Sequence, residues 1–196
     1  MTRPEPRIVL FTRWPEPGRA KTRLIPAIGA ARAADLHRRL TERTLAVVRA
    51  SGLPHELRVT GAPAAAFRAW LGEVAVIDQG EGDLGTRLAR AGPPYPTLFI
   101  GADAPDLGAG LLLRAAAALD AGPAVIGPAE DGGYWLLGLA RAVSGVFQGI
   151  DWSTERVCAQ TLARLRDVGI EPAVLSRLAD CDRPEDLARW PDLVPA

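Results

Sequence analysis

Strand-like and helix-like segments alternate along most of this 196-residue chain. That alternation predicts an α/β fold, a three-layer sandwich with a mostly parallel central sheet. Two observations carry the expectation. Short apolar, β-rich runs recur, as in Ile8-Val9-Leu10-Phe11, Val74-Ala75-Val76-Ile77 and Thr97-Leu98-Phe99-Ile100. Each reads as a buried strand. Between them lie segments whose apolar residues repeat near helical spacing, such as Leu36, Leu40, Val47 and Val48.

The elements follow in order. Arg7 to Thr12 is a first strand bounded by prolines. Trp14 to Arg23 is too rich in proline for helix or central strand. Ala30 to Ala50 is a long amphipathic helix, Glu56 to Thr60 a second strand, Ala62 to Leu71 a helix and Val74 to Ile77 a third strand. Gly82-Asp83-Leu84-Gly85 opens a short helix to Ala91. Thr97 to Ile100 is the clearest buried strand, and Ala109 to Asp120 the helix after it. Ala124 to Gly127 and Gly133 to Leu139 are strands. Thr154 to Val168 is a helix, Ala173 to Leu175 a strand, and a short helix follows Asp182. There is no internal repeat and no dividing linker, so residues 1–196 are expected to form one domain.

Composition excludes several classes. The chain has 23 basic and 23 acidic residues, which argues against a broad basic surface for nucleic acid. No apolar run approaches the roughly 18 residues of a membrane helix. Met1-Thr2-Arg3-Pro4 leads into the first strand without a signal-peptide pattern, so a cytoplasmic protein is expected. Cys158 and Cys181 form neither metal spacing nor a disulfide framework. Of the 23 basic residues only Lys21 is lysine, and the chain lacks Asn. A lysine that survives such a bias marks a position where arginine does not serve.

Ligands of open α/β sheets bind beyond the carboxyl ends of the strands, where three polar clusters fall. The loop after the first strand combines Thr12, Gly18, Arg13, Arg19, Lys21 and Arg23, which suits a polyphosphate. It is neither a Walker loop nor GxGxxG, and it also reads as a solvated basic loop. Asp103 ends a buried strand, where a Mg²⁺ ligand belongs; Asp103 or Asp106 also reads as a turn or cap residue. Asp131, Gly132, Gly133 and Tyr134 form either a ligand-contacting loop or a plain hairpin turn. Further on, Asp180 and Asp182 bracket Cys181, and Asp182-Arg183-Pro184-Glu185 also fits a capping box. His37 and His55 read as non-catalytic; Trp14 and Trp152, near the site loops, read as packing residues or as aromatics that stack a base.

Six ordered blocks, FTRWPEPGRAKTRL, GDLGTR, GADAPDL, GPAEDGGYWLLG, IDWST and DCDRPEDL, resemble a bacterial family labelled glycosyltransferase-like, or selenodomain-associated transferase type 1. The resemblance spans nearly the whole chain. It implies the GT-A fold of nucleotide-diphospho-sugar transferases, similar to 2-phospholactate guanylyltransferase and the molybdenum cofactor nucleotidyltransferases. By that resemblance Lys21, helped by Arg13 and Arg23, contacts a triphosphate. Asp103 binds Mg²⁺ (or Mn²⁺), and Asp182, with Asp180 as rival, supplies a second carboxylate. The relatives carry a richer glycine loop, whereas this one has only Gly18.

The expected activity is transfer of a nucleoside monophosphate from a nucleoside triphosphate to a small phosphorylated acceptor, releasing pyrophosphate. Such an acceptor is already anionic, so no general base is needed. Asp83 and Arg87 would position nucleotide or acceptor, and Asp131 to Tyr134 would line the acceptor side. The alternatives are glycosyl transfer from a nucleotide sugar, with Asp131 as base, and a non-catalytic nucleotide-binding protein. Base, acceptor and oligomeric state are left open by the sequence.

Overall fold

Strand β1 (Arg7–Arg13) lies inside a seven-stranded sheet, with β2 (His55–Thr60) and β4 (Thr97–Ile100) as parallel neighbours. Ile8, Val9 and Leu10 have no solvent exposure, which is why the run is continuously apolar and not alternating. The computed structural model describes residues 4–194; Met1 to Arg3, on which the signal-peptide reading began, and the last two residues lie outside it.

The strand order is β3-β2-β1-β4-β6-β5-β7, where β3 is Ala75–Asp78, β5 Ala124–Pro128, β6 Tyr134–Leu139 and β7 Ala173–Val174. All pairings are parallel except those of β6, which runs against both β4 and β5. The expected mostly parallel sheet is therefore found, with one reversed strand placed by the β5–β6 hairpin.

Helices cover both faces, giving three layers. Ile8 and Leu10 point to α2 (Ala30–Ala50), α3 (Ala64–Leu71) and α5 (Ala109–Ala121), where they meet Leu45, Phe67 and Leu112. Val9, Phe99 and Leu137 point the other way, to Leu88 of α4 (Leu84–Ala91) and Leu165 of α6 (Val157–Asp167). A third, smaller cluster joins Leu24, Leu36 and Leu40 to Cys181, with Leu187 and Trp190 packed on it. Here α1 (Ile25–Ile28) and the first half of α2 meet the C-terminal segment.

Boundaries moved where local chemistry decided them. Helix α3 starts two residues later than the pattern suggested because extended Pro63 caps it. Helix α6 starts at Val157, three residues late, after a turn in which Ser153 adopts φ 66°. The short helix after Asp182 is 3₁₀, over Pro184–Arg189. Its reciprocal carboxylate is Asp186, which accepts from the N–H groups of Asp182 and Arg183 at 3.0 and 2.7 Å. The capping reading of Asp182 itself is thereby replaced; its carboxylate instead pairs with Lys21 and Arg23.

Arg7 fastens the loop before β4. Its Nη2 donates to the carbonyls of Ala91, Gly92 and Pro93, its Nε to that of Pro94, and its Nη1 pairs with Glu56 at 3.0 Å. The side chain is 12% exposed. Arg7→Met keeps the stem and removes every one of these bonds. It is expected to lower stability by about 2–4 kcal/mol, read as a reduced urea midpoint with unchanged m-value.

Candidate functional site

The chain winds from β1 outward through β2 to β3, then returns to β4 on the other side of β1. Strand order thus reverses between β1 and β4, and the crevice beyond their carboxyl ends is the place for a ligand. Because β6 is reversed, its first residue Tyr134 and the preceding hairpin turn lie at the same edge. A cavity of about 530 Å³ occupies this edge.

The loop after β1 is shaped to send one side chain inward. Arg19 and Ala20 donate to the Glu16 carbonyl across a Pro17-Gly18 turn, and Gly18 has φ 84°, which glycine adopts without steric cost. Ala20 is fully buried and anchors the turn. Lys21 then takes φ 48°, a left-handed conformation. Among the described residues only Lys21 and Ser153 are non-glycine residues with positive φ, and both line this cavity. Such strain is held only where surrounding structure enforces it.

The Lys21 side chain is 4% exposed. Its ammonium lies 2.6 Å from Asp103 Oδ1 and 3.5 Å from Asp182 Oδ1, and it donates to the Cys181 carbonyl at 2.6 Å. Three acceptors therefore surround a group with three donors. Arg23 Nη1 reaches the other oxygen of Asp182 at 2.5 Å. Burial alone would lower the Lys21 ammonium; the two carboxylates outweigh it and hold the group above its ordinary value, hence charged. Protein packed around Asp103 would raise its carboxyl. The Lys21 charge, then His37, outweighs that and keeps it below the usual carboxylate range. Asp103 is still about half exposed on its cavity side.

The hairpin turn contributes Asp131, Gly133 and Tyr134 to the cavity wall. Asp131 Oδ1 accepts from the Gly133 N–H at 2.8 Å, the bond of a plain turn, and the same residue faces the cavity. Arg13 also lines the cavity. Burial pushes the Tyr134 phenol well above its ordinary range.

The remaining candidates fall elsewhere. Thr12 is buried, its hydroxyl 3.0 Å from that of Thr41. It and Arg87 line an adjoining cavity of about 430 Å³, which shares Arg13, His37 and Asp103 with the first. Asp83 caps α4, accepting from the Thr86 N–H at 2.8 Å. Gly18 sits on the outer turn with open space around its Cα. Gly132, at φ 88°, lies against the backbone of Glu155 and gives its carbonyl to the Cys158 N–H. Asp106 accepts from Trp190 Nε1 at 3.0 Å and so ties the C-terminal segment to the loop after β4. Trp14 packs edge-on against Phe67 and Trp70, whereas Trp152 lines the main cavity.

The sequence set His37 apart from the site clusters, but the structure brings it to the cavity edge. It is 6% exposed, lines both cavities and donates from Nε2 to the Arg13 carbonyl at 3.1 Å. Burial, against the pull of Asp103, holds its imidazole below the ordinary value. Its phase was the available signal: with Ala33, Leu36, Leu40, Thr41 and Thr44 it shares the buried stripe of α2.

A divalent cation would have two carboxylates here, Asp103 and Asp182, converging on one point. No group of three or more His, Cys, Asp or Glu side chains suited to a metal occurs among the described residues. Two carboxylates are fewer than a closed protein cage needs, and are the number a Mg²⁺-type ion takes when substrate phosphates and water complete its shell.

The model of the family described as uncharacterized protein conserved in bacteria (DUF2064) matches residues 44–154. That span holds Asp103 and the Asp131 hairpin and omits Lys21 and Asp182. Among solved structures, a Desulfovibrio desulfuricans protein provisionally described as a nucleotide-diphospho-sugar transferase is 30% identical, with a TM-score of 0.87 over 95% of this chain and 87% of its own. Rv0371c of Mycobacterium tuberculosis, solved with manganese, is 21% identical, with a TM-score of 0.56 over 97% of this chain and 98% of its own. The 2-C-methyl-D-erythritol 4-phosphate cytidylyltransferase of Thermus thermophilus is 17% identical, with a TM-score of 0.57 over 97% of this chain and 99% of its own. The last two share the fold. No curated protein matches the chain. No helix among the described residues is long and apolar enough to cross a membrane.

Asp180 behaves unlike its neighbours. Burial first, then Asp131, Asp186 and Asp182, push its carboxyl up to about 6 from an ordinary 3.8. The folded state therefore holds this proton more tightly than the unfolded chain. Its stabilising contribution is complete below about pH 4 and is lost as pH rises through about 6. Asp180→Asn is expected to exceed the wild type in stability by about 1–2 kcal/mol near neutral pH and to converge with it near pH 4. Urea unfolding of the metal-free protein across that range measures both.

Proposed function

The chain belongs to the DUF2064 family, and we propose that it is a divalent-metal-dependent nucleotidyltransferase acting on a small phosphorylated acceptor, with the whole chain serving as one catalytic domain. One observation carries this reading. Lys21 from the loop after β1, Asp103 from the end of β4 and Asp182 from the C-terminal segment converge within 3.5 Å of one ammonium, beside a cavity that also holds Arg13. Three distant stretches of sequence supply mixed charge at the switch point of the sheet, the arrangement that phosphoryl chemistry requires. The D. desulfuricans relative and the cytidylyltransferase neighbour, by what their names say they act on, support a nucleotidyl or sugar transferase. The manganese in Rv0371c supports a divalent ion.

In this reading an anionic oxygen of the acceptor phosphate attacks the α-phosphorus of a nucleoside triphosphate. The bond to the bridging oxygen breaks and pyrophosphate leaves with its electron pair. No side chain has to take a proton, which suits a site whose one histidine is held low by burial. Arg13, Arg23 and Lys21 neutralise the phosphate chain and keep it in line. Arg87, in the adjoining cavity, orients the nucleotide, and Gly133 and Tyr134 form the wall on the acceptor side. Asp103 and Asp182 would hold Mg²⁺ or Mn²⁺, which supplies charge neutralisation at the α-phosphate.

Glycosyl transfer from a nucleotide sugar is the second reading. It is favoured by the name of the 30%-identical relative and by Asp131 on the cavity wall, where a base would stand. The two readings differ in released product, pyrophosphate against nucleoside diphosphate.

The test is a thermal-shift series with each nucleoside triphosphate and nucleotide sugar, with and without Mg²⁺, followed by product analysis. The expected result is a melting-temperature rise with a triphosphate that depends on the metal. A rise with nucleotide sugars alone transfers the assignment to glycosyl transfer. Lys21→Ala and Asp103→Ala are each expected to remain folded and to lose turnover by about a thousandfold or more. Near-normal rates in either variant would sink the nucleotidyl assignment.

A further inference from the structure

The Lys21 cluster is already electrically complete without a metal. Lys21 and Arg23 supply two positive charges, and Asp103 and Asp182 supply two negative ones. The contacts are close: 2.6 Å from Lys21 to Asp103, 3.5 Å from Lys21 to Asp182, and 2.5 Å from Arg23 to the second oxygen of Asp182. Asp182 has a cation on each oxygen. Asp103 keeps an accessible side toward the cavity, with 54% of its side chain exposed. The Lys21 side chain that joins them is 4% exposed, and its ammonium also donates to the Cys181 carbonyl.

We propose that Lys21 is a resident counter-ion for Asp103 and Asp182, so that the site rejects a bare divalent cation and accepts it only as a metal–polyphosphate complex. This deepens the nucleotidyl-transfer reading and rests on it for the identity of the phosphate chain. A bare ion would add two positive charges to a neutral, partly buried cluster. It would also have to draw Asp103 or Asp182 away from Lys21, leaving that buried ammonium short of a partner. A phosphate chain reverses both penalties. Its negative charge exceeds that of the metal it carries, so the complex brings net negative charge to a cavity that also holds Arg13. It also offers oxygens to Lys21 and Arg23 when they leave the carboxylates. The two cations exchange carboxylate partners for phosphate partners as the metal takes their place. Lys21 makes these contacts from a left-handed backbone. Lys21 is thus a specificity-determining residue for the form in which the metal arrives.

The consequence is the reverse of ordinary intuition about a site lysine. Removing it should improve binding of the metal alone. The experiment measures Mn²⁺ binding by the purified protein through the electron paramagnetic resonance signal of the free ion, first without nucleotide. Lys21→Met is expected to bind Mn²⁺ about tenfold more tightly than wild type, or better, given the strength of charge interactions at these separations. Arg23→Gln, at a half-exposed position, should shift in the same direction by less. Circular dichroism and thermal melting establish that each variant is folded. In the wild type, saturating nucleoside triphosphate should tighten Mn²⁺ binding by about tenfold or more beyond what the nucleotide alone chelates, and Lys21→Met should show a smaller gain.

Equal or weaker Mn²⁺ binding by folded Lys21→Met overturns the proposal. If that variant does not fold, an unshifted Arg23→Gln, or a wild type that binds bare Mn²⁺ as tightly as it does in the presence of triphosphate, overturns it equally. The function and the inference fail separately. A gain in metal affinity without turnover of any triphosphate leaves the counter-ion role standing and removes the nucleotidyl assignment. Turnover without the gain does the opposite.

Discussion

The contact between Lys21 and the carboxylates of Asp103 and Asp182 is the constraint on which the site depends. Two carboxylates brought this close would repel each other, and a partly buried charge without a partner is costly. The ammonium makes their approach possible. In return the carboxylates keep it charged in a place where burial alone would lower it. The same contact joins three parts of the chain that are far apart in sequence, and the Cys181 N–H bond to the Asp103 carbonyl at 2.8 Å reinforces it.

Packing prepares that contact. The third apolar cluster seats Cys181 against Leu24, Leu36 and Leu40, immediately beside the charged groups. Burial pushes the Cys181 thiol up to about 11 despite the nearby ammonium, so this cysteine is a packing residue whose carbonyl, not sulfur, serves the site. Trp190 and Arg189 extend the seam, the first to Asp106 and the second to Glu130 at 2.7 Å. The C-terminal segment is therefore a wall of the cavity, and its apolar side chains fix where Asp182 stands.

The sheet supplies the frame. Strand β1 is covered on both faces, so its carboxyl end cannot move without disturbing two cores. The buried polar set of Thr12, His37 and Thr41 sits under that end and bonds internally and to the Arg13 carbonyl. A loop that leaves a rigid strand over a satisfied polar base can hold Lys21 in a left-handed conformation that an isolated loop would abandon.

Much of this was legible in one dimension. Apolar runs alternating with amphipathic segments determine an α/β sheet, because period and burial are written in adjacent residues. Lys21 stood out as the lone lysine, and Asp103 as the carboxylate that ends a buried strand. The direction of β6 was not legible, since a short apolar run reads the same both ways and only pairing with β4 and β5 decides it. Asp182 was balanced between cap and site until Asp186 was found to do the capping. His37 was hidden because a polar residue on an apolar stripe declares burial but not its neighbour. Which groups exist, and on which elements they ride, is written in the order of residues alone. That one ammonium meets two carboxylates and a carbonyl at once emerges only in the folded chain, because it depends on contacts between residues as far apart as Lys21 and Cys181, 160 positions, and local sequence contains no such distance.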